Sequence, residues 1–346
     1  MHSVMTAMSG GVDSSVAAAL LKEQGYKVVG GTMRLYEKHG VAQEVSDAQS
    51  VCQKLGIEHF VFDMKEEFKQ KVICTFSEMY SKGLTPNPCI ECNKHLKFGA
   101  LLKQAEQLGC DYIATGHYSR ITKDKTSGRY VLYRPEDRKK DQTYVLWRLS
   151  QQQLSRILMP LGDISKQAVR EIAHSYGFVS ANAKESQDIC FVPDGDYSRF
   201  LEEFNGKPFK KGDYIDISGK KIGEHKGQEC YTIGQRKGLG IALGKPQFVI
   251  SKNPKTNEVV LGDEEHLFKN RVHIKEINMI SAEFPKSKLS CTAKLRYSAN
   301  DDECIFHPMS KTEGVLEFKK PQRAPTSGQS AVLYIGDAVL GGGIIV

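Results

Sequence analysis

The chain has 346 residues, with 40% hydrophobic and 26% charged side chains and a formal net charge of +7. This composition excludes disordered and fibrous classes and suits two or three globular domains. No run of ~18 apolar residues occurs, and Met1 to Met8 lack the basic start and long apolar stretch of a signal peptide, so a cytoplasmic placement with no membrane span is expected.

In chain order, short β-branched runs alternate with amphipathic stretches. Strands are expected at Val4 to Met8, Lys27 to Met33, His59 to Asp63 and Asp111 to Thr115. Between the last two, Phe98, Leu101, Leu102, Ala105 and Leu108 fall on one helical stripe. Another helix is expected after Ser165 as its N-cap, with Ala168, Val169, Ile172, Ala173 and Tyr176 inward, stopping at Gly177. This pattern predicts an α/β unit with a parallel sheet. From Asn205-Gly206-Lys207-Pro208 onward, helical periods give way to short strands such as Tyr214 to Ile217, Phe248 to Ser251 and Val259 to Leu261. Val272 to Ile277, Leu289 to Tyr297, Val315 to Phe318 and Ala331 to Tyr334 then suggest a small barrel. The expected division is 1–205, a small and mostly β central domain at 206–268, and a C-terminal β-barrel at 269–346.

Ser9-Gly10-Gly11-Val12-Asp13-Ser14-Ser15 stands between the first strand and the first helix. Two glycines let backbone amides approach an anion, serine hydroxyls add donors, and the helix N-terminus contributes partial positive charge. A polyphosphate fits there. The lysine of a Gly-x-x-x-x-Gly-Lys P-loop is missing, and Gly238-Leu239-Gly240 lacks the spacing of a dinucleotide fingerprint.

Nine cysteines is an odd number in a chain too large to need disulfide staples, which directs attention to reduced thiols. Asn87-Pro88-Cys89-Ile90-Glu91-Cys92-Asn93-Lys94 leads into a helix, and its position together with Lys94 and Lys97 predicts a lowered pKa for Cys92. Cys190 follows the polar run Lys184-Glu185-Ser186-Gln187-Asp188. The other six, Cys52, Cys74, Cys110, Cys230, Cys291 and Cys304, read as small buried hydrophobes. Cys89, Cys92 and Cys190 with His117 also match the donor set of a Cys₃His zinc site.

The Ser-Gly-Gly-Val-Asp-Ser-Ser loop resembles the pyrophosphate loop of the ATP pyrophosphatase superfamily. Taken with Asn-Pro-Cys-x-x-Cys-Asn-Lys, Gly116-His117-Tyr118, Lys140-Asp141-Gln142, the Cys190 segment, Gly234 to Gly240 and the terminal Gly341-Gly342-Gly343, the chain resembles the bacterial and mitochondrial tRNA-specific 2-thiouridylases over nearly its whole length. The resemblance implies an adenine-nucleotide α-hydrolase-like first domain, and a tRNA-uridine 2-sulfurtransferase acting on the wobble uridine through an adenylated base. It places ATP against Ala7, Met8, Ser9, Gly10, Gly11, Val12, Asp13, Ser14, Met33 and Gly116, with Mg²⁺ near Asp13. It makes Cys190 the carrier of a persulfide received from a sulfur-donor protein and Cys92 its resolving partner through a disulfide. tRNA is expected at Asn87, Pro88, Cys89, His117, Lys140, Asp141, Gln142, Arg296, Tyr297 and Gln329, with the basic run Arg134, Arg138, Lys139 and Lys140 on phosphates.

Cys89 departs from many relatives, which carry an aspartate there for proton transfer. Three thiols, Cys89, Cys92 and Cys190, then also suffice for a [4Fe-4S] cluster with one open iron, an alternative to the persulfide route. Two further readings stand beside thiolation: a small-molecule ATP ligase with a nitrogen donor, and an RNA-binding protein with a degenerate loop.

Overall fold

The computed structural model describes residues 1–36, 41–178, 189–242 and 244–346. Strands β1 (Ser3–Ala7), β2 (Lys27–Arg34), β3 (His59–Asp63) and β4 (Tyr112–Ala114) precede a hairpin of β5 (Arg120–Lys123) and β6 (Tyr130–Tyr133), and the short β7 (Ile157–Leu158) follows. A five-stranded parallel sheet has the order β3-β2-β1-β4-β7. Alternation on β1 serves both faces: Val4 packs with Val16, Leu21 and Val169, whereas Met5 packs with Phe68, Phe76 and Leu101. On the first face lie α1 (Val12–Glu23), α2 (Val41–Leu55) and the helix Lys166–Ser175; on the other lie helices over 65–81 and 88–107. The expected N-cap is present, since Ser165 Oγ accepts from Ala168 N at 3.2 Å. Leu108, expected on the apolar stripe, lies just past the helix end and is 44% exposed.

Next come β8 (Gly212–Ile215), β9 (Lys221–His225), β10 (Phe248–Asn253) and β11 (Glu258–Gly262), paired in the order β10-β11-β8-β9 around Tyr214, Val249, Val259 and Leu261. The last strands are β12 (Phe268–Met279), β13 (Leu289–Lys294), β14 (Asp302–Pro308), β15 (Glu313–Arg323), β16 (Ser330–Ile335) and β17 (Ala338–Ile345). They run β12-β15-β14-β13-β16-β17, and β12 pairs with β17 to close a six-stranded barrel. β13 stops at Lys294 rather than continuing to Tyr297, because residues 295–301 turn over to reach β14.

The β5–β6 hairpin was absent from the expected strands. It lies outside the parallel sheet and pairs with the barrel strand β17 through Tyr133 opposite Ala338. Trp147, fully buried, donates from Nε1 to Ser330 Oγ at 3.0 Å and lies against Gly342, where a Cβ would stand 2.8 Å from the indole Cδ2. The terminal glycine run thus includes a close-packing position between the first α/β unit and the barrel. Asn278 Nδ2 donates to Trp147 O at 2.7 Å and Leu149 O at 3.1 Å across the same seam.

Candidate active site

The seven-residue loop forms a strand-to-helix turn. Gly10 has φ +74°, a conformation suited to glycine, and Gly11 caps α1. Ser14 and Ser15 donate from Oγ to Gly11 O at 3.1 and 2.9 Å, and Ser14 Oγ accepts from Ser9 N at 3.2 Å, so the loop holds its own shape. Opposite it, Gly116 presses against the start of α1. A Cβ there would meet backbone atoms of Asp13 and Ser14 at 2.7 and 2.8 Å. Ala7 ends β1, buried Met8 donates its N–H to Gly31 O, and Met33 sits near the end of β2, so these expected nucleotide residues border the same turn.

Sequence reasoning missed the partners of Asp13. Lys166 Nζ reaches both of its carboxylate oxygens at 2.7 and 2.8 Å, and Tyr118 donates from its hydroxyl at 2.7 Å. The helix start after Ser165 was legible; that its first residue faces α1 was not. Asp13 therefore stands already neutralised, and the loop offers amides and hydroxyls rather than a cluster of carboxylates.

The thiols come together from remote segments. Asn87 caps the helix over 88–107, its Oδ1 accepting from Cys89 N at 3.1 Å, with Pro88 at the first helical position. Residues 92–100 wind in wider π-helical turns, and the i-to-i+5 repeat brings Lys97 beneath Cys92. Cys190 is held from its C-terminal side: Phe191 is buried against Phe68, Phe76 and Phe200, with ring centroids 5.6, 5.4 and 5.1 Å away. Tyr36, also unforeseen, donates to Cys190 O at 2.7 Å. Of the motif preceding Cys190, residues 184–188 lie outside the described residues.

The expected lowering for Cys92 is corrected by this geometry. Burial pushes its thiol up to about 11, Lys97 opposing and Cys89 adding to the rise. Cys92 lies in the helix's second turn, beyond the amides of its N-terminus. Cys190 is pushed up to about 12, by burial first and then by Cys92 and Cys89, again against Lys97. Cys89 is raised by burial, less the effect of Lys97. Cys89 and Cys190 do present surface, but the protein crowding them replaces much of the water that a thiolate needs. At rest the cleft holds neutral thiols under one ammonium group.

His117 is buried, with Nδ1 2.8 Å from Thr115 Oγ1, and burial followed by Lys97 keeps its pKa well below the usual imidazole range. It is neutral at pH 7. Tyr297 stands 46% exposed, its ring 6.0 Å from that of Tyr144, and partial burial, then Asp141 and the neighbourhood of Cys89, raise the pKa of its hydroxyl.

Several expected tRNA residues have intramolecular work. Gln329 Nε2 donates to Thr85 O at 2.8 Å and so pins the segment ahead of Cys89 to the barrel. Arg296 Nη2 donates to Ile233 O, Ala324 O and Thr326 Oγ1 at 3.1, 2.8 and 2.7 Å. Asp141 accepts from Thr143 N at 2.9 Å, and Gln142 Oε1 accepts from Tyr118 N at 2.9 Å. Of the basic run, Arg134 is placed differently from expectation: it pairs with Asp301 at 2.8 Å and lies over the Tyr334 ring at 3.9 Å. Arg138 pairs with Asp337. Lys139 is exposed and Lys140 half-buried at the end of the turn Arg138–Lys140.

Among the described residues no three His, Cys, Asp or Glu side chains stand in an arrangement able to hold a metal ion. Cys89, Cys92, Cys190 and His117 are therefore not gathered as a single-ion zinc site. Among the described residues, too, no helix is long and apolar enough to cross a membrane.

A parallel sheet with an anion-binding turn after its first strand, two β modules and a cleft of thiols defines a nucleotide-utilising α/β enzyme. Family models match in succession: a tRNA methyl transferase HUP domain over 2–194, a tRNA methyl transferase PRC-barrel domain over 198–263 and an aminomethyltransferase beta-barrel domain over 269–345. The tRNA-specific 2-thiouridylase MnmA of Clostridioides difficile is 49% identical over 99% of this chain and 97% of its own length. The protein of the same name from Carboxydothermus hydrogenoformans is 47% identical, again over 99% and 97%. The chain belongs to the tRNA-specific 2-thiouridylase family. Among solved structures, the U34-tRNA thiolase NcsA of Methanococcus maripaludis with its [4Fe-4S] cluster is 18% identical, with a TM-score of 0.37, over 59% of this chain and 66% of that one. Overlap that partial fixes neither substrate nor cofactor.

Proposed function

We propose that the protein replaces the C2 oxygen of a uridine in tRNA, the wobble uridine, with sulfur at the expense of ATP. The 2-thiouridylase relatives at 47–49% identity over 99% of this chain support the reaction class. The observation that carries the mechanism is that Cys92 and Cys190, remote in sequence, lie near enough to act electrostatically on each other and on Lys97, whose charge also reaches His117, the neighbour of the Gly116 that presses on the phosphate turn.

The loop amides and serine hydroxyls hold the β- and γ-phosphates, and Mg²⁺ bound with ATP would screen their charge. The uridine C2 oxygen attacks the α-phosphorus and pyrophosphate leaves, giving an O-adenylated base. Sulfur arrives on Cys190 as a persulfide from a donor protein. Its terminal sulfur attacks C2 and AMP departs. Cys92 then attacks the Cys190 sulfur, breaking the S–S bond, leaving sulfur on C2 and forming a Cys92–Cys190 disulfide that is later reduced. Lys97 favours the anionic sulfur that each step needs. Tyr297 and neutral His117 provide an aromatic surface and a hydrogen-bonding ring for a base turned out of its stack.

Transfer of radiolabelled sulfur to tRNA, measured anaerobically with wild type and with Cys190→Ser, tests the proposal. The variant is expected to incorporate no label while still releasing pyrophosphate from ATP in the presence of tRNA and leaving the tRNA adenylated. Label incorporation equal to wild type would overturn the role of Cys190.

A further inference from the structure

Cys291 on β13 lies directly opposite Cys304 on β14 in antiparallel register, and their Sγ atoms are 3.6 Å apart. Opposed residues in such a ladder have Cα atoms about 4.5–5.5 Å apart, within the span of a disulfide. Sequence reasoning took both for separate buried hydrophobes. Cys304 is 2% exposed, but Cys291 is partly open, so a small reagent reaches the pair through Cys291. The hydrogen bond between the two sulfurs holds Cys291 below the usual thiol range against burial and pushes Cys304 up. The reachable sulfur is the one that gives up its proton more readily.

Residues 295–301 join the two strands. Arg296 there binds Ala324 O, Tyr297 packs against Tyr144, and Asp301 pairs with Arg134. The two thiols thus stand midway along the hairpin whose tip carries Tyr297 and Asp301.

We propose that Cys291 and Cys304 form a dithiol modification site that reacts with a hydroperoxide-class oxidant and closes to a disulfide across the β13–β14 hairpin. With hydrogen peroxide, the Cys291 thiolate attacks one oxygen, the O–O bond breaks, and hydroxide leaves and is protonated to water. The resulting sulfenic acid is attacked by the Cys304 sulfur, forming the S–S bond. The departing hydroxide takes the Cys304 proton as a second water. Two thiols are oxidised by two electrons and one peroxide is reduced to two waters. The cross-link fixes the middle of the hairpin in the register it already has, and this chemistry is independent of the sulfur-transfer reading.

Trypsin tests it well, because Lys294 and Arg296 lie between the cysteines and cleavage leaves them on separate peptides. Full-length protein is treated with equimolar hydrogen peroxide, blocked with N-ethylmaleimide, digested without reductant and mapped by mass spectrometry. The expected product is the Cys291 peptide joined to the Cys304 peptide, two hydrogens lighter than their sum. A dithiothreitol-reversible rise in Tm of about 5 °C should accompany it. In Cys304→Ser the joined peptide and the Tm rise are expected to vanish, and dimedone should capture a sulfenic acid on Cys291. Should that variant not fold, Cys291→Ser serves, with the same two losses. Both cysteines carrying N-ethylmaleimide after oxidation, Cys291 joined to another cysteine, or a Tm rise surviving either substitution would each overturn the proposal.

Discussion

The phosphate turn is made from seven consecutive residues, Ser9 to Ser15, whereas the thiol cleft draws on Tyr36, the 89–97 helix segment, His117, Cys190 and Tyr297. The turn is complete at rest: its serines bond to its own backbone and its one carboxylate is neutralised by Lys166. The cleft is assembled but chemically idle, its thiols held neutral by burial. A binding surface for a charged ligand must be organised before the ligand arrives, while a nucleophile kept protonated until its substrate fills the cleft is shielded from stray oxidants.

The sharpest break between the two regions is expected from Cys190→Ser, which should lower sulfur transfer by ~10³-fold or more without changing ATP affinity; equilibrium ATP binding and transfer measured on the same preparation check this. Gly116→Val attacks the other region. Its side chain must displace backbone of Asp13 and Ser14, so ATP affinity should fall at least about tenfold, at a stability cost of ~1–3 kcal/mol. The reactivity of Cys92 and Cys190 toward iodoacetamide distinguishes them afterwards.

Lys97→Met sharpens the comparison. Removing the ammonium should raise the thiols further and slow alkylation about tenfold at fixed pH. In both proteins the rate should climb through pH 9 without a plateau, because about 11 and about 12 lie above that range. An alkylation rate independent of Lys97 would show that its charge does not reach the sulfurs.

Gly342→Ala probes the seam that carries the cleft. A methyl 2.8 Å from Trp147 Cδ2 should cost ~1–3 kcal/mol, seen as a lowered denaturant midpoint. The smallest effect concerns acid. Below pH ~6.5 the unfolded chain protonates His117 while the folded chain does not, so stability rises with pH up to about 6.5 and is lost as pH falls below it. His117→Asn should remove about 1 kcal/mol of that change between pH 5.5 and 6.5, read from urea titrations.

Strand and helix signals identified β1, α1, the Ser165 cap and the turn to β structure after Asn205, because apolar period and capping chemistry act within a few residues. The β5–β6 hairpin escaped notice since its partner strand lies some two hundred residues later. Arg134 and Arg296 read as phosphate ligands because a positive side chain looks alike in sequence whether it faces solvent or the carboxylate and carbonyls of another domain. Cys291 and Cys304 looked unrelated for a similar reason, their pairing being a matter of strand register.

Composition, spacing and local backbone preference by themselves determined that this chain folds around a parallel sheet, makes a glycine- and serine-rich turn from its first strand into its first helix and passes to β structure after Asn205. Tertiary structure alone decided which cation neutralises Asp13, which tyrosine holds Cys190 and whether Cys92 is ionised. Those depend on groups brought together from distant parts of the chain, and on the water their packing excludes, neither of which any short stretch of sequence records.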